Sequence, residues 1–152
     1  MKVLLVVDLQ TEFKDKEGQY DRILNFVKHA KSNGYDRVVA TMCCNSPDSP
    51  FVKYNNWFDC LDGCMPLEFN SDKIIVKYSY GLSDYSRLSK NNTYDIVGFN
   101  TDACVLKIAM DMFDRCYDIR VLTKYCFSSS GSAQHKSGVK LLKHLMSDAV
   151  IL

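Results

Sequence analysis

The chain has almost no charge of one sign to spare: 19 Lys and Arg stand against 18 Asp and Glu. That balance offers no broad grip on a phosphate backbone, so no nucleic-acid partner is expected. Long apolar runs are also missing. Val3–Val7 stops at Asp8, far short of the roughly 20 residues a spanning helix needs. No small-residue cleavage site follows it, so it does not read as a signal peptide. No membrane partner is expected, and the expected location is the cytoplasm. With 7 Gly and 3 Pro, collagen-like and low-complexity chains are excluded. Leu9-Gln10-Thr11-Glu12 stands where a flavodoxin-like nucleotide binder would carry a glycine-rich phosphate loop. Seven cysteines, an odd number without an export signal, predict reduced thiols and no disulfide framework.

What is present is a hydrophobic content of 47%, enough for the core of one domain over residues 1–152. Val3–Val7 is apolar on both faces, as a central parallel strand is. Further strands are expected at Arg37–Met42, Lys73–Val76, Tyr94–Phe99 and Asp118–Thr123, with a last edge strand at Ala149–Leu152. Helical spacing predicts helices over Tyr20–Ser32, Leu82–Lys90, Asp102–Cys116 and Ser132–Met146, the third capped by Thr101. The stretch from Cys43 to Asn70 holds all three prolines and reads as an irregular excursion. Strands alternating with helices imply a three-layer α/β/α fold with a mostly parallel, Rossmann-like sheet of five or six strands. Ligands of such sheets sit beyond the carboxyl ends of the strands.

Three reactive side chains fall at such ends. Asp8 closes the first strand, Lys77 the third, and Cys104 follows the fourth. Cys104 is placed in the first turn of a helix, where unpaired N–H groups and the helix dipole favour a thiolate. A nearby ammonium would favour it further, and a carboxylate within reach would accept the thiol proton. Together they suit covalent acyl transfer. Spacing alone leaves plainer roles open: Asp8 as a turn cap, Lys77 as a solvated strand end, Cys104 as a small buried hydrophobe.

Val6–Phe13 (VVDLQTEF), Ile74–Gly81 (IIVKYSYG) and Gly98–Val105 (GFNTDACV) resemble the three signature segments of the isochorismatase-like cysteine hydrolases. That superfamily includes nicotinamidases and N-carbamoylsarcosine amidohydrolases. The likeness runs from residue 3 to about residue 150. It implies a catalytic triad of Asp8, Lys77 and Cys104 and a cis peptide bond from Phe99 to Asn100. It also implies an oxyanion hole made by the backbone N–H groups of Asn100 and Cys104. Phe13, Trp57, Tyr80 and Phe99 are the expected pocket residues. The implied function is hydrolysis of a C–N bond in a small amide or ureido compound, through a thioester on Cys104. Vinyl-ether hydrolysis of the isochorismatase type and an idle small-molecule binder are the alternatives. Members of the family usually form dimers or rings, so a homodimer or larger homo-oligomer is expected.

Nicotinamidases of this family usually hold a metal with an Asp and two His, the first pair spaced D-x-H after the second strand. Here Cys43 and Asn45 occupy those places, and no histidine lies between residues 30 and 134. No metal and no cofactor are expected. Cys43, Cys44, Cys60 and Cys64 lie close in sequence, yet their spacing is poor for a four-cysteine zinc site. Ser128-Ser129-Ser130-Gly131 follows the fifth strand and has two readings, a border of the pocket mouth and, the plainer one, a loop-to-helix entry.

Overall fold

The structure is a computed structural model, and it describes every residue except Asp62, Cys64 and Ala149. Five parallel strands form one sheet: β1 (Lys2–Val7), β2 (Arg37–Cys43), β3 (Lys73–Lys77), β4 (Thr93–Phe99) and β5 (Asp118–Phe127). Their order is β3-β2-β1-β4-β5. The chain first winds outward from β1 to β3, then returns to the other side of β1 with β4. Winding therefore reverses between β1 and β4, which opens a crevice at their carboxyl ends. Among the described residues no helix is long and apolar enough to cross a membrane.

Each face of the sheet carries its own core. Val3, Leu5, Val7 and Ile75 point toward α3 (Cys104–Asp114) and α4 (Ser132–Met146), meeting Ile108, Met112 and Leu142. Leu4 and Val6 point the other way, onto Ile23 and Val27 of α1 (Gln19–Lys28). Burial on both faces explains why β1 lacks polar alternation. The Asp15 carboxylate starts α1 by accepting from the N–H groups of Glu17, Gln19 and Tyr20 at 2.7, 3.1 and 2.7 Å.

The excursion between β2 and β3 contains one short helix, α2 (Pro50–Asn55). Ser49 caps it through Val52 N–H at 3.2 Å, and Pro50 sits where its missing N–H costs nothing.

Several expected boundaries move. The helix at 82–90 shrinks to one 3-10 turn, Tyr85–Arg87, because Asp84 caps Ser86 and Leu88 returns to extended backbone. The first helix ends at Lys28 rather than Ser32. The third begins at Cys104, not Asp102, and Thr101 is no cap: it is buried, its hydroxyl 2.9 Å from His135 Nδ1. β5 runs past Thr123 to Phe127 across an irregularity opposite Ile96–Gly98. In place of a sixth strand, Ile151 makes a single parallel bridge to Val121; Ala149 of that expected strand lies outside the described residues.

Candidate active site

Lys77 shares a face with Ile75, the face that carries α3. It starts on β3, two strands from β1, a gap of roughly 9.6 Å. Only a long stem bridges that gap, and the lysine ammonium comes to 2.8 Å from Asp8 Oδ2. The same Nζ donates to Cys104 Sγ at 3.2 Å and to the Ser79 carbonyl at 2.8 Å. Three N–H donors thus meet three partners, which leaves none for a ligand.

Asp8 has φ 45°, in the left-handed region that aspartate tolerates better than most residues. Thr41, on β2, holds it there. Its hydroxyl donates to Asp8 Oδ1 at 2.6 Å and accepts from Asp8 N–H at 3.1 Å. Gln10 stitches the same turn to β2, donating to the Cys43 carbonyl at 3.1 Å and accepting from Cys43 N–H at 2.7 Å.

Cys104 is the first residue of α3. Its approach is set by the Phe99–Asn100 peptide bond, which is cis, and by two glycines. Gly98 has φ 120°, and a Cβ there would lie 2.1 Å from the Val7 carbonyl oxygen. Gly138 lets α4 pack against the 101–102 backbone, where a Cβ would come within 2.8 Å of Asp102 N. Among the described residues, the Asn100 and Cys104 backbone N–H groups donate no hydrogen bond. They remain free donors in the turn that leads into α3.

The three side chains are 0%, 1% and 5% exposed for Asp8, Lys77 and Cys104. Burial pushes the Cys104 thiol up, and the Asp8 carboxylate adds to this more than Lys77 subtracts. The resting sulfur is therefore a protonated thiol. That corrects the expectation that the helix terminus and the ammonium would favour a thiolate. Burial alone would lower the Lys77 ammonium, but Asp8, Cys104 and Cys43 together hold it above the usual lysine range.

Cys104 faces a cavity of about 290 Å³. Phe13, Phe51, Trp57 and Tyr80 form its aromatic wall. Phe13 and Trp57 stack with centroids 6.0 Å apart, and Phe51 sets its edge against Trp57 and Tyr80 at 5.5 and 4.9 Å. Asn55 donates to the Tyr80 hydroxyl at 3.2 Å. Asn100, Asp102, Ser129 and Ser130 line the cavity as well. Of the four expected pocket residues, Phe13, Trp57 and Tyr80 line this cavity. Phe99 does not: it is fully buried in the α1 core, tilted against Tyr20 at 6.1 Å, because β4 aims it at α1. Of the two readings of Ser128–Gly131, the structure adds the pocket border to the helix entry: the Ser129 N–H donates to Asn100 Oδ1 at 2.7 Å, and Ser129 and Ser130 line the cavity. A larger depression of about 670 Å³, beside α1 and residues 67–72, contains no nucleophile.

The residues standing in for the D-x-H pair do not fit a metal. Asn45 Nδ2 donates to the Trp57 and Asp59 carbonyls at 3.1 Å each, and its Oδ1 accepts from Ser46 N–H and the Ser49 hydroxyl. Its amide is spent on folding the excursion. The Cys43 thiol is pushed up by its hydrogen bond with Cys60 and by burial. Cys44 is disulfide-bonded, which corrects the expectation of seven reduced thiols and removes its sulfur from any thiolate ligand set. Cys64 lies outside the described residues. Among the described residues no group of three or more His, Cys, Asp or Glu is placed to hold a metal.

The family model named Isochorismatase domain matches residues 2–150. The chain belongs to the isochorismatase family. Its class is accordingly that of a hydrolase. No curated protein matches the chain. Among solved structures, the isochorismatase-family fold recurs in PnC1 from L. infantum in complex with nicotinate, at 17% identity and TM-score 0.78, covering 100% of this chain and 92% of that one. The pyrazinamidase/nicotinamidase of Streptococcus mutans aligns over 100% of both chains at 19% identity and TM-score 0.75. An isochorismatase-like hydrolase from Alkaliphilus metalliredigens covers 94% of this chain and 91% of its own at 17% identity and TM-score 0.75.

Proposed function

We propose that the protein is a cysteine-dependent hydrolase that cleaves the C–N bond of a small amide or ureido compound through a thioester on Cys104. The observation that carries this reading is the Lys77 ammonium, lying 2.8 Å from the Asp8 carboxylate and 3.2 Å from the sulfur of Cys104, a residue that lines a cavity. Because the thiol is protonated at rest, a base must take its proton as the sulfur attacks. Asp8 is that base, and Lys77 stabilises the sulfur as it gains charge. The new C–S bond forms at the carbonyl carbon, and the oxyanion is received by the Asn100 and Cys104 N–H groups. One such donor is typically worth about 2.7–4 kcal/mol of transition-state stabilisation. Asp8 then returns its proton to the leaving nitrogen as the C–N bond breaks. Water, deprotonated by Asp8, cleaves the thioester, and the proton returns to sulfur.

The nicotinamidases among the structural neighbours support an amide substrate as a class. The Asn45 hydrogen bonds argue against a metal-held pyridine ring at that site.

The test is a panel of primary amides and ureido acids scored for ammonia release, with acid-quenched mass spectrometry of the protein. Wild type is expected to show an acyl adduct on the peptide containing Cys104, and Cys104→Ala neither adduct nor turnover. A Cys104→Ala protein that still releases ammonia refutes the covalent route.

A further inference from the structure

We infer that the groove between β5 and α4 is a binding site for a linear polyphosphate, the chemistry shared by inorganic polyphosphate and the tail of a nucleoside triphosphate. The even charge of the whole chain hides a local imbalance. Residues 119–147 carry five Lys and Arg and no Asp or Glu. Folding gathers four of the five around one depression of about 510 Å³: Lys124 from β5, and Lys136, Lys140 and Lys143 from α4. The depression has no acidic lining residue and shares none of its lining with the cavity at Cys104. Lys143 pairs with Asp148 at 3.2 Å, but both side chains are exposed and such a pair is worth little. Among the described residues, Lys124, Lys136 and Lys140 make no ion pair and donate no hydrogen bond from Nζ. Lys124 only rests over the Tyr125 ring, 5.0 Å from its centroid. His135 also lines the groove. Burial, then Arg22 and Lys136, lower it against the pull of Asp102 and Glu17, so it adds no charge near neutral pH.

The three α4 lysines stand at i, i+4 and i+7, which sets them on one face along about 10 Å of helix. Like charges at that spacing destabilise a helix, and α4 contains no acid to offset them. An anion lying along the row does offset them. A single carboxylate spans too little of it, whereas consecutive phosphates carry charge along its length. Lysine meets phosphate as a point charge and asks for no particular orientation. Thr123, also in the lining, has its N–H and hydroxyl committed to the Leu152 oxygen at 2.6 and 2.7 Å. Recognition therefore falls to the ammonium groups, and the groove reads charge and length.

Binding of tripolyphosphate, ATP and orthophosphate to the wild-type protein is measured by calorimetry, in low-salt buffer free of divalent cations. Tripolyphosphate is expected to bind at least tenfold more tightly than orthophosphate, and to weaken as salt is added. Lys136→Gln combined with Lys140→Gln is expected to lower tripolyphosphate affinity roughly tenfold. Lys53→Gln combined with Lys90→Gln removes the same charge from exposed positions outside the groove, and is expected to leave affinity within twofold. All four lysines are exposed, and melting curves verify that both variants are folded. Tripolyphosphate as tight as ATP upholds the site with inorganic polyphosphate as its occupant; ATP tenfold tighter upholds it with a nucleotide. Absence of tripolyphosphate binding, equal binding of orthophosphate, or equal losses from the two lysine pairs overturns the inference. So does capture of the protein by phosphatidylserine-containing vesicles without binding of soluble polyphosphate, which makes the surface a membrane contact instead.

Discussion

Replacing Asp8 with Asn separates a catalytic base from a structural carboxylate, because it moves turnover and thiol reactivity in opposite directions. In the native site Asp8 raises the Cys104 thiol and Lys77 lowers it. Asn keeps the size and retains an oxygen for the Thr41 hydroxyl, but removes the charge and the proton acceptor. Lys77 Nζ then lies 3.2 Å from sulfur with no competing anion. At an effective dielectric of about 20, an anion within about 3–4 Å of the sulfur, where its hydrogen bond places Asp8, repels a thiolate by roughly 4–5 kcal/mol, and the substitution removes that repulsion. Realising half of this multiplies the thiolate population about a hundredfold at any pH below its midpoint. The less basic sulfur loses roughly tenfold in intrinsic nucleophilicity. The net expectation is an iodoacetamide reaction at Cys104 about tenfold faster than wild type at pH 7.5. Turnover falls by about 10²–10⁴, the usual worth of a general base. Labelling is read by peptide mass spectrometry, which resolves Cys104 from the other cysteines, and melting curves verify that the variant is folded. Slower or unchanged labelling, or turnover above a tenth of wild type, refutes the assigned electrostatics.

Thr41→Val deletes both hydrogen bonds that hold Asp8 and leaves a buried acceptor short of a donor, so a loss of about 1–3 kcal/mol is expected in urea unfolding. The same variant is expected to lower kcat more than it raises KM, since Asp8 is aimed at sulfur rather than at substrate. Gly98→Ala drives a Cβ to 2.1 Å from the Val7 carbonyl oxygen at φ 120°, and is expected to yield insoluble or unfolded protein on expression; a folded variant of wild-type stability refutes that packing. The Cys126 thiol, raised by burial from 9.0 to about 12, keeps its proton when folded but loses it near pH 9 when unfolded. Stability is therefore full below pH 9 and declines between pH 9 and 12, by up to about 1.4 kcal/mol per pH unit for that proton. In urea unfolding from pH 8 to 11, Cys126→Ala is expected to show a shallower decline than wild type, and parallel declines refute the assignment.

Much of the architecture was legible locally. β1 announced itself by apolarity on both faces, and α3 by the spacing of Val105, Ile108, Ala109 and Met112. Asp8, Lys77 and Cys104 stood out as the reactive residues closing or following apolar runs. Thr41 and Gln10 carried a weaker signal, a polar residue at the end of each of two such runs, and were passed over. Phe99 was misplaced because ordinary alternation sets it beside Val97 on one face of β4, and which face meets α1 is decided only when the layers pack. Ser129 and Ser130 kept two readings, because their neighbour Asn100 lies far away in sequence.

By itself the sequence determined which segments are strands and helices, since period, apolar content and capping residues act over a few neighbours. It also determined which residues have chemistry to offer. Only the tertiary structure decided what state they are in. The Cys104 proton depends on a balance between burial, Asp8 and Lys77, contributed by three distant segments. Desolvation and Coulomb terms are set by distance and exposure in space, which exist only once the sheet order has brought those segments together.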